Sequence, residues 1–321
     1  MWGRLRQAAA FLSAHTSAFI VAVAVFAWWQ PGVFGWVRGN AQAMVLGVIM
    51  LAMGMTLSGN DWRILARRPW DVAIGACAQY TVMPLLAVAL VWGLHLPDAI
   101  AVGLLLVGCS PGGVSSNIMS LLGRGDVAYS VGMTSVSTLL APLVTPLLML
   151  WLAGERVEVH AADLFLSILW VTVLPVGVGT LLNVLFGRSA GYAAVCGVLP
   201  GVAVLALACI VGGVVSAGGS GLFSQGALIF LGIFLHNGLG YALGYLIATL
   251  CRMNPPKRRT LSLEVGMQNA GLATVLARAH FPLLPEAAVA AAVSCVWHSV
   301  SGTLLAGVFR SRADKRTRRR G

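Results

Sequence analysis

Charge is what this 321-residue sequence has least of: Asp, Glu, Lys and Arg make up 10%, against roughly 25% in soluble domains. That scarcity excludes an ordinary water-soluble fold, because apolar runs of about 20 residues follow one another from end to end with no soluble stretch between them. Composition is 58% hydrophobic and mean hydropathy is +0.86. Cysteine chemistry is also thin. Cys77, Cys109, Cys196, Cys209, Cys251 and Cys295 lie in or at the ends of apolar segments, with no C-x-x-C pair and no Cys/His cluster. They read as small core residues and carry no information about redox compartment. Segment interiors hold no Lys, Arg or Asp, and without paired intramembrane aspartates a hydrolase is not expected.

What is present is an all-α polytopic membrane protein. Ten spans are expected at about 16–37, 40–59, 70–93, 98–123, 126–152, 162–186, 194–217, 225–251, 258–280 and 286–309. The opening run with Arg4 and Arg6 has no small-residue cleavage site after a short apolar core, so it reads as the lead into an uncleaved first helix. The net charge of +11 would suggest nucleic acid in a soluble protein; here its placement points to topology, and no nucleic-acid partner is expected. With a cytoplasmic N-terminus, 18 of the 21 Lys and Arg residues fall on one side, leaving Arg38, Arg156 and Arg278 on the other. Both termini are therefore expected in the cytoplasm. Trp28, Trp29, Trp36, Trp62, Trp70, Trp92 and Trp151 sit near segment ends, as an interfacial belt requires; Trp170 and Trp297 are interior.

Two stretches break the pattern: GCSPGGVSSN at 108–117 and EVGMQNAGL at 264–272. Glycines loosen a helix, and Pro111 removes a backbone donor. Free backbone groups at membrane depth are tolerated only where they line a protein-buried cavity, so two broken segments in corresponding places mark a binding site. The breaks fall in the fourth segment and the ninth, the fourth of each set of five. A five-helix repeat enters the membrane in opposite orientations in its two copies. Hence an inverted repeat is expected, 1–155 and 156–310, with discontinuous helices 4 and 9 crossing near the midplane and 311–321 as a basic cytoplasmic tail.

Glu264 is the one acidic residue deep inside a segment, and a buried carboxylate needs a cation or a proton. Ser116 and Asn117 close the first break; Gln268 and Asn269 close the second. Ser130 and Thr134, four apart, continue into Ser137 and Thr138 as a hydroxyl stripe on the fifth segment. Hydroxyls, amides, unwound carbonyls and one carboxylate are hard oxygen ligands, and sodium is the natural ion. Ordinary helix packing is the competing reading of the stripe. Gln79, mid-segment, serves either ligation or an interhelical hydrogen bond. His298 shares a face with Ser294 and Ser301 and serves either an anionic substrate or a neighbouring carbonyl; His236 and Asn237 form a similar pair.

The strings VGCSPGGVSSNIMSLLGRGDVAYSVGMTSVSTLLAPLVTP, LSLEVGMQNAGLATVLARAHF and SCVWHSVSGTLLAG closely resemble the bile acid:sodium symporter family, in particular bacterial homologues of the apical sodium-dependent bile acid transporter. The resemblance implies a panel of helices at about 16–59 and 162–217, a core at about 70–152 and 225–309, and two sodium sites behind the crossover. Carried over by motif, the first site uses Ser116, Asn117, Ser130, Thr134 and Glu264. The second uses Gln79, Glu264, Gln268 and the carbonyls of Val265 and Met267. Val114 stands where many relatives have a Thr, Ser115 adds a hydroxyl, and Ser299 follows His298 where relatives often have Asn. These departures leave the ion sites intact and fall on the substrate side.

Two sodium ions against one carboxylate leave a single positive charge. A monovalent anion would neutralise it against the half-helix N-termini near Val114, Ser115, Asn269 and Ala270, with His298 and Ser294 as further contacts. The expectation is sodium-driven import of an organic anion by alternating access in a bacterial inner membrane. The cargo would be bile acid-like or a small carboxylate such as pantoate or a keto acid. The bilayer and the anion are the partners, and no obligate protein partner is indicated. The alternative is a proton-coupled metalloid or organic-ion efflux carrier of related fold, with Cys109 as thiolate ligand.

Overall fold

The computed structural model describes residues 2–57, 69–218 and 226–318, and among these only helices and turns occur. In chain order they are α1 (Trp2–Ala14), α2 (Thr16–Trp29), a 3-10 turn (Pro31–Phe34), α3 (Gly39–Thr56), α4 (Pro69–Gly93), α5 (Asp98–Cys109), α6 (Ser115–Leu122) and α7 (Val127–Ala153). There follow α8 (Ala161–Ile168), a π turn (Leu169–Val173), α9 (Leu174–Phe186), α10 (Ala190–Cys196), α11 (Leu199–Gly218), α12 (Gly226–Leu250), α13 (Pro255–Gly266), α14 (Ala270–His280) and α15 (Pro285–Arg318).

Seven of the described helices, or helices continued through a short irregular turn, are long and apolar enough to cross a membrane unaided. α5, at 12 residues, reaches about 18 Å and cannot cross a hydrocarbon layer of about 30 Å alone; it needs α6 beyond the break.

Local chemistry explains the boundaries. Asp126, Asn254 and Asn269 cap α7, α13 and α14 by accepting from the amides of Tyr129, Lys257 and Leu272. Pro175 has no amide for the Val171 carbonyl, and the π turn at 169–173 absorbs the mismatch.

Three expectations are modified. The first segment does not run unbroken over 16–37: α1 is a separate helix bent by 81° from α2, and α2 stops at Trp29 because Pro31 disfavours helical backbone at Gln30. The seventh segment begins with a short extra helix, α10. The tenth segment does not end at 309, for α15 continues to Arg318 through residues that include neither Gly nor Pro after Gly307. Trp62, Arg63, Arg67, Arg68, Arg319 and Arg320 lie outside the described residues.

Burial sorts the elements. From Ile100 to Cys109 every residue of α5 is buried, as are Thr260–Gly266 of α13 and Ala270–Ala277 of α14. A helix apolar all round belongs inside a bundle. By contrast Leu181, Val184 and Leu185 of α9 and Leu143, Leu147 and Trp151 of α7 are exposed, as lipid-facing positions are. The broken segments therefore occupy the centre, where their backbone is hidden from lipid.

Close approach needs small residues where apolar surface gives no driving force in lipid. α3 and α9 meet through a reciprocal pair: a Cβ on Gly54 would lie 2.2 Å from Val176 O, and one on Gly179 2.4 Å from Leu51 O. Gly177 has open space around it. Gly54→Leu and Gly179→Leu are each predicted to destabilise the purified protein by about 1–3 kcal/mol or more, with Gly177→Ala neutral to slightly stabilising. Thermal unfolding followed by size-exclusion chromatography checks this; equal melting temperatures for all three would contradict the packing described.

Candidate functional site

The two breaks cross each other antiparallel. Gly113 N donates to Met267 O and Asn269 N to Pro111 O, both at 2.8 Å, and Gly112 pairs with Gln268 as an isolated bridge. Two strands this close leave no space for side chains. A Cβ on Gly113 would fall 2.8 Å from Gln268 O, and one on Gly112 3.2 Å from Glu264 Oε2. Carbonyls freed where the helices stop are taken by neighbours: Thr145 Oγ1 donates to Cys109 O at 2.7 Å and Asn237 Nδ2 to Gly266 O at 2.6 Å. The crossover is thus a hydrogen-bonded element in its own right.

Glu264 ends α13 directly behind it, 1% exposed. Its Oε1 accepts from Ser116 Oγ at 2.6 Å and from Ser130 Oγ, and its Oε2 from Thr134 Oγ1 at 2.8 Å. Asn117 Oδ1 lies 2.8 Å from Ser130 Oγ and 3.3 Å from Thr134 Oγ1, an alternative acceptor for the same hydroxyl protons. All five residues of the first expected sodium site therefore meet at one carboxylate. Charge-assisted hydroxyl bonds of this length are strong. Three neutral donors leave the negative charge uncompensated, and burying an unpaired charge is costly.

The second expected set is linked around the crossover itself. Gln79 Nε2 donates to Gln268 Oε1 and to Ser110 O, and Gln268 Nε2 donates to Val265 O at 2.6 Å. Met267 O is the carbonyl that accepts from Gly113. Gln79 Oε1 is buried with no hydrogen-bond partner, an acceptor that hard-cation chemistry would use. Ser137 Oγ accepts from Gly112 N at 3.3 Å, and Thr138 Oγ1 is likewise buried without a partner. Among the described residues, no group of three or more His, Cys, Asp or Glu could hold a transition metal.

On the far face of the crossover is a largely apolar cavity of about 360 Å³ between α3, α6, α11, α14 and α15. Val114, Ser115, Asn269, Ala270 and His298 line it, with Asn117 and Gln268 shared with the ion side. α6 starts here without a side-chain cap, since Val114 has none to give. Asn269 caps α14 through Leu272 N. His298 is 3% exposed, and its ring lies against the Gln268 backbone of the second break.

Ser294 is not in this wall. Its Oγ donates back to Ala290 O, and the face presented to the cavity is Cys295, His298 and Ser299, the i, i+3, i+4 set. Ser301 instead bonds Tyr241 Oη at 3.0 Å, so the residues 294 and 301 flank the wall. His236 bonds Met83 O at 2.9 Å, and with Asn237 it supports the core away from the cavity. Cys109 is fully buried in the apolar core and lines no part of the cavity, so the thiolate expected of the metalloid alternative is misplaced. The letters GCSPG match a G-x-S-x-G string, yet Ser110 Oγ donates to Leu106 O inside its own helix and no His bonds it. Sequence reasoning missed the α3 wall, Leu46, Met50 and Met53, because an apolar stripe on a membrane helix carries no polar signal.

Residues 43–225 match the family model described as the Sodium Bile acid symporter family. The chain is 42% identical over 312 residues to a protein of Bacillus subtilis (strain 168) named "Uncharacterized sodium-dependent transporter YocS", covering 97% of this chain and 96% of that one. It is 39% identical over 307 residues to "Probable sodium/metabolite cotransporter BASS1, chloroplastic" of Oryza sativa subsp. japonica (96% and 75% covered). The Arabidopsis thaliana protein of the same name is 41% identical over 286 residues (89% and 71%). The family model takes in the first break, and the similarity to the bacterial relative runs over nearly the whole chain. By both measures the chain belongs to the sodium bile acid symporter family.

Proposed function

We propose that this protein imports an organic anion together with sodium by alternating access, binding the ions behind the crossover and the anion in the cavity before it. Sodium-coupled membrane transport follows from the family and its relatives, which are transporters and not enzymes. The observation that carries the finer reading is Glu264, a buried carboxylate held by three hydroxyls with no cationic side chain among its described hydrogen-bond partners. A sodium ion among Ser116, Asn117, Ser130, Thr134 and Glu264 would supply that charge. A second, among Gln79, Glu264, Gln268 and the Val265 and Met267 carbonyls, would leave one net positive charge for a monovalent anion. Bile acid-like anions and small carboxylates such as pantoate or a keto acid suit the apolar wall with one anionic end at the α6 and α14 N-termini.

Counting α1/α2, α5/α6, α8/α9, α10/α11 and α13/α14 as one span each gives ten among the described residues, arranged as two inverted sets of five. α1–α3 and α8–α11 form the panel; α4–α7 and α12–α15 form the core. The excess of Lys and Arg on the side of the termini supports placing both termini in the cytoplasm of a bacterial inner-membrane protein, and the charged contacts agree with the grouping of residues by side. Arg124 pairs with Asp314, Lys257 with Asp71 and Arg156 with Asp98, and each pair joins residues assigned to the same side.

Three outcomes are predicted. Glu264→Gln in proteoliposomes abolishes sodium-dependent uptake of pantoate or of whichever anion the wild type takes up; full sodium-dependent uptake in the variant would refute the ion site. Gly113→Ala, which presses a Cβ against the Gln268 carbonyl, removes the stabilisation that sodium gives in a thermal melt. At a hundred times the dissociation constant that stabilisation is about 2.7 kcal/mol in the wild type, and its survival in the variant would mean the crossover geometry is not required. Finally, a panel of carboxylates and sulfonates raises the melting temperature more in sodium than in potassium, as positive coupling demands; equal shifts in both salts would argue against coupling.

A further inference from the structure

A second cavity, about 500 Å³, lies beside the Arg38 end of α3. α3, α11 and α14 line both: the first between Leu46 and Leu57, around Leu199–Leu207 and at Ala270; the second at Gly39, at Val214 and at Arg278. On each of the three helices about two turns, roughly 10 Å, separate the nearest lining residues of the two: Gly39 from Leu46, Leu207 from Val214 and Gly271 from Ala277. Two guanidiniums, Arg38 and Arg278, line the second cavity, and no Asp or Glu is among its described lining residues.

Neither arginine is well satisfied. Arg278, on α14, reaches Val37 O and Gly213 O at 3.3 Å and Gln42 Oε1 at 3.4 Å, all beyond the usual range of about 2.7–3.2 Å. Arg38 is exposed and makes no side-chain hydrogen bond or ion pair among the described residues. It acts on Arg278 as a like charge. Like charges held together without a counter-charge in a concave site favour an anion there, and guanidinium forks match a carboxylate in two-point geometry. The three oxygens that Arg278 touches belong to α3, α11 and the turn leading into α3, all within the part grouped above as the panel, while Arg278 itself belongs to the core, so the site bridges the two.

We propose that Arg38 and Arg278 form an outer docking site for the carboxylate of the transported anion, distinct from the crossover cavity and engaged before it. The site rests on the reading of the cargo as an organic anion and does not require the sodium sites. Its occupant takes the donors that Arg278 now spends on Val37, Gln42 and Gly213, which loosens the contact between panel and core at this mouth.

The test is arginine labelling by phenylglyoxal on the full-length protein in detergent, read by mass spectrometry, with 2-oxoisovalerate as the carboxylate probe. Labelling of Arg38 and Arg278 is expected to slow about fivefold at a probe concentration four times its dissociation constant, in potassium as well as sodium. It is expected to slow equally in Glu264→Gln, where failure of the sodium reading cannot interfere. In Arg38→Gln, whose side chain makes no described hydrogen bond to lose, protection of Arg278 is expected to disappear. Unchanged labelling with the probe overturns the proposal, as does protection of Arg278 that persists in Arg38→Gln. Equal or stronger protection by inorganic phosphate also overturns it, assigning the pair to a phosphate or lipid headgroup instead.

Discussion

The carboxylate of Glu264 and the three hydroxyls that hold it are the point on which the rest of the molecule turns. A charge at membrane depth is tolerable only where its oxygens find partners, and here the donors come from two helices and the acceptor from a third. Ser116 belongs to the half-helix after the first break, Ser130 and Thr134 to the long helix that follows, and Glu264 to the half-helix before the second. One carboxylate thereby fixes α6, α7 and α13 relative to one another. The crossing backbone strands complete the arrangement, because Gly112 and Gly113 let them approach within hydrogen-bond distance just in front of the carboxylate.

This construction separates two chemistries with a thin wall. Behind the crossover are hard oxygens and a surplus negative charge; before it is an apolar cavity with helix N-termini and one histidine. Asn117 and Gln268 belong to both sides. A cation bound behind the wall and an anion before it would reach each other through a few ångströms of protein, where charges interact far more strongly than in water. Coupling by charge needs no long pathway in such a site. Ser116 behind the wall and Val114 and Ser115 before it belong to the same short stretch at the start of α6.

Much of this was legible in the sequence because membrane burial makes polar letters expensive. Glu264, Gln79, Ser116, Asn117, Ser130, Thr134 and Gln268 stand out against an apolar background, and each is found where the two breaks would bring it. Ser294 was misjudged for a related reason. Helical periodicity gives a face but not which edge of that face meets the cavity, and the choice of Cys295, His298 and Ser299 over Ser294 and Ser301 depends on how α15 is rotated against α12. The bend at His15 was equally hidden, since neither Gly nor Pro marks it.

Sequence alone determined that the chain crosses a membrane many times, that two of its segments are broken, and that one carboxylate lies among hydroxyls and amides. Those follow from the cost of polar groups in lipid, which is a property of each residue by itself. Only the tertiary structure decided that the breaks cross antiparallel, that three hydroxyls from α6 and α7 converge on Glu264, and that Arg38 and Arg278 face one cavity though 239 residues lie between them in the chain. Those are relations between distant segments, fixed by helix rotation and by glycine contacts such as Gly54 against Val176, and no local pattern encodes them.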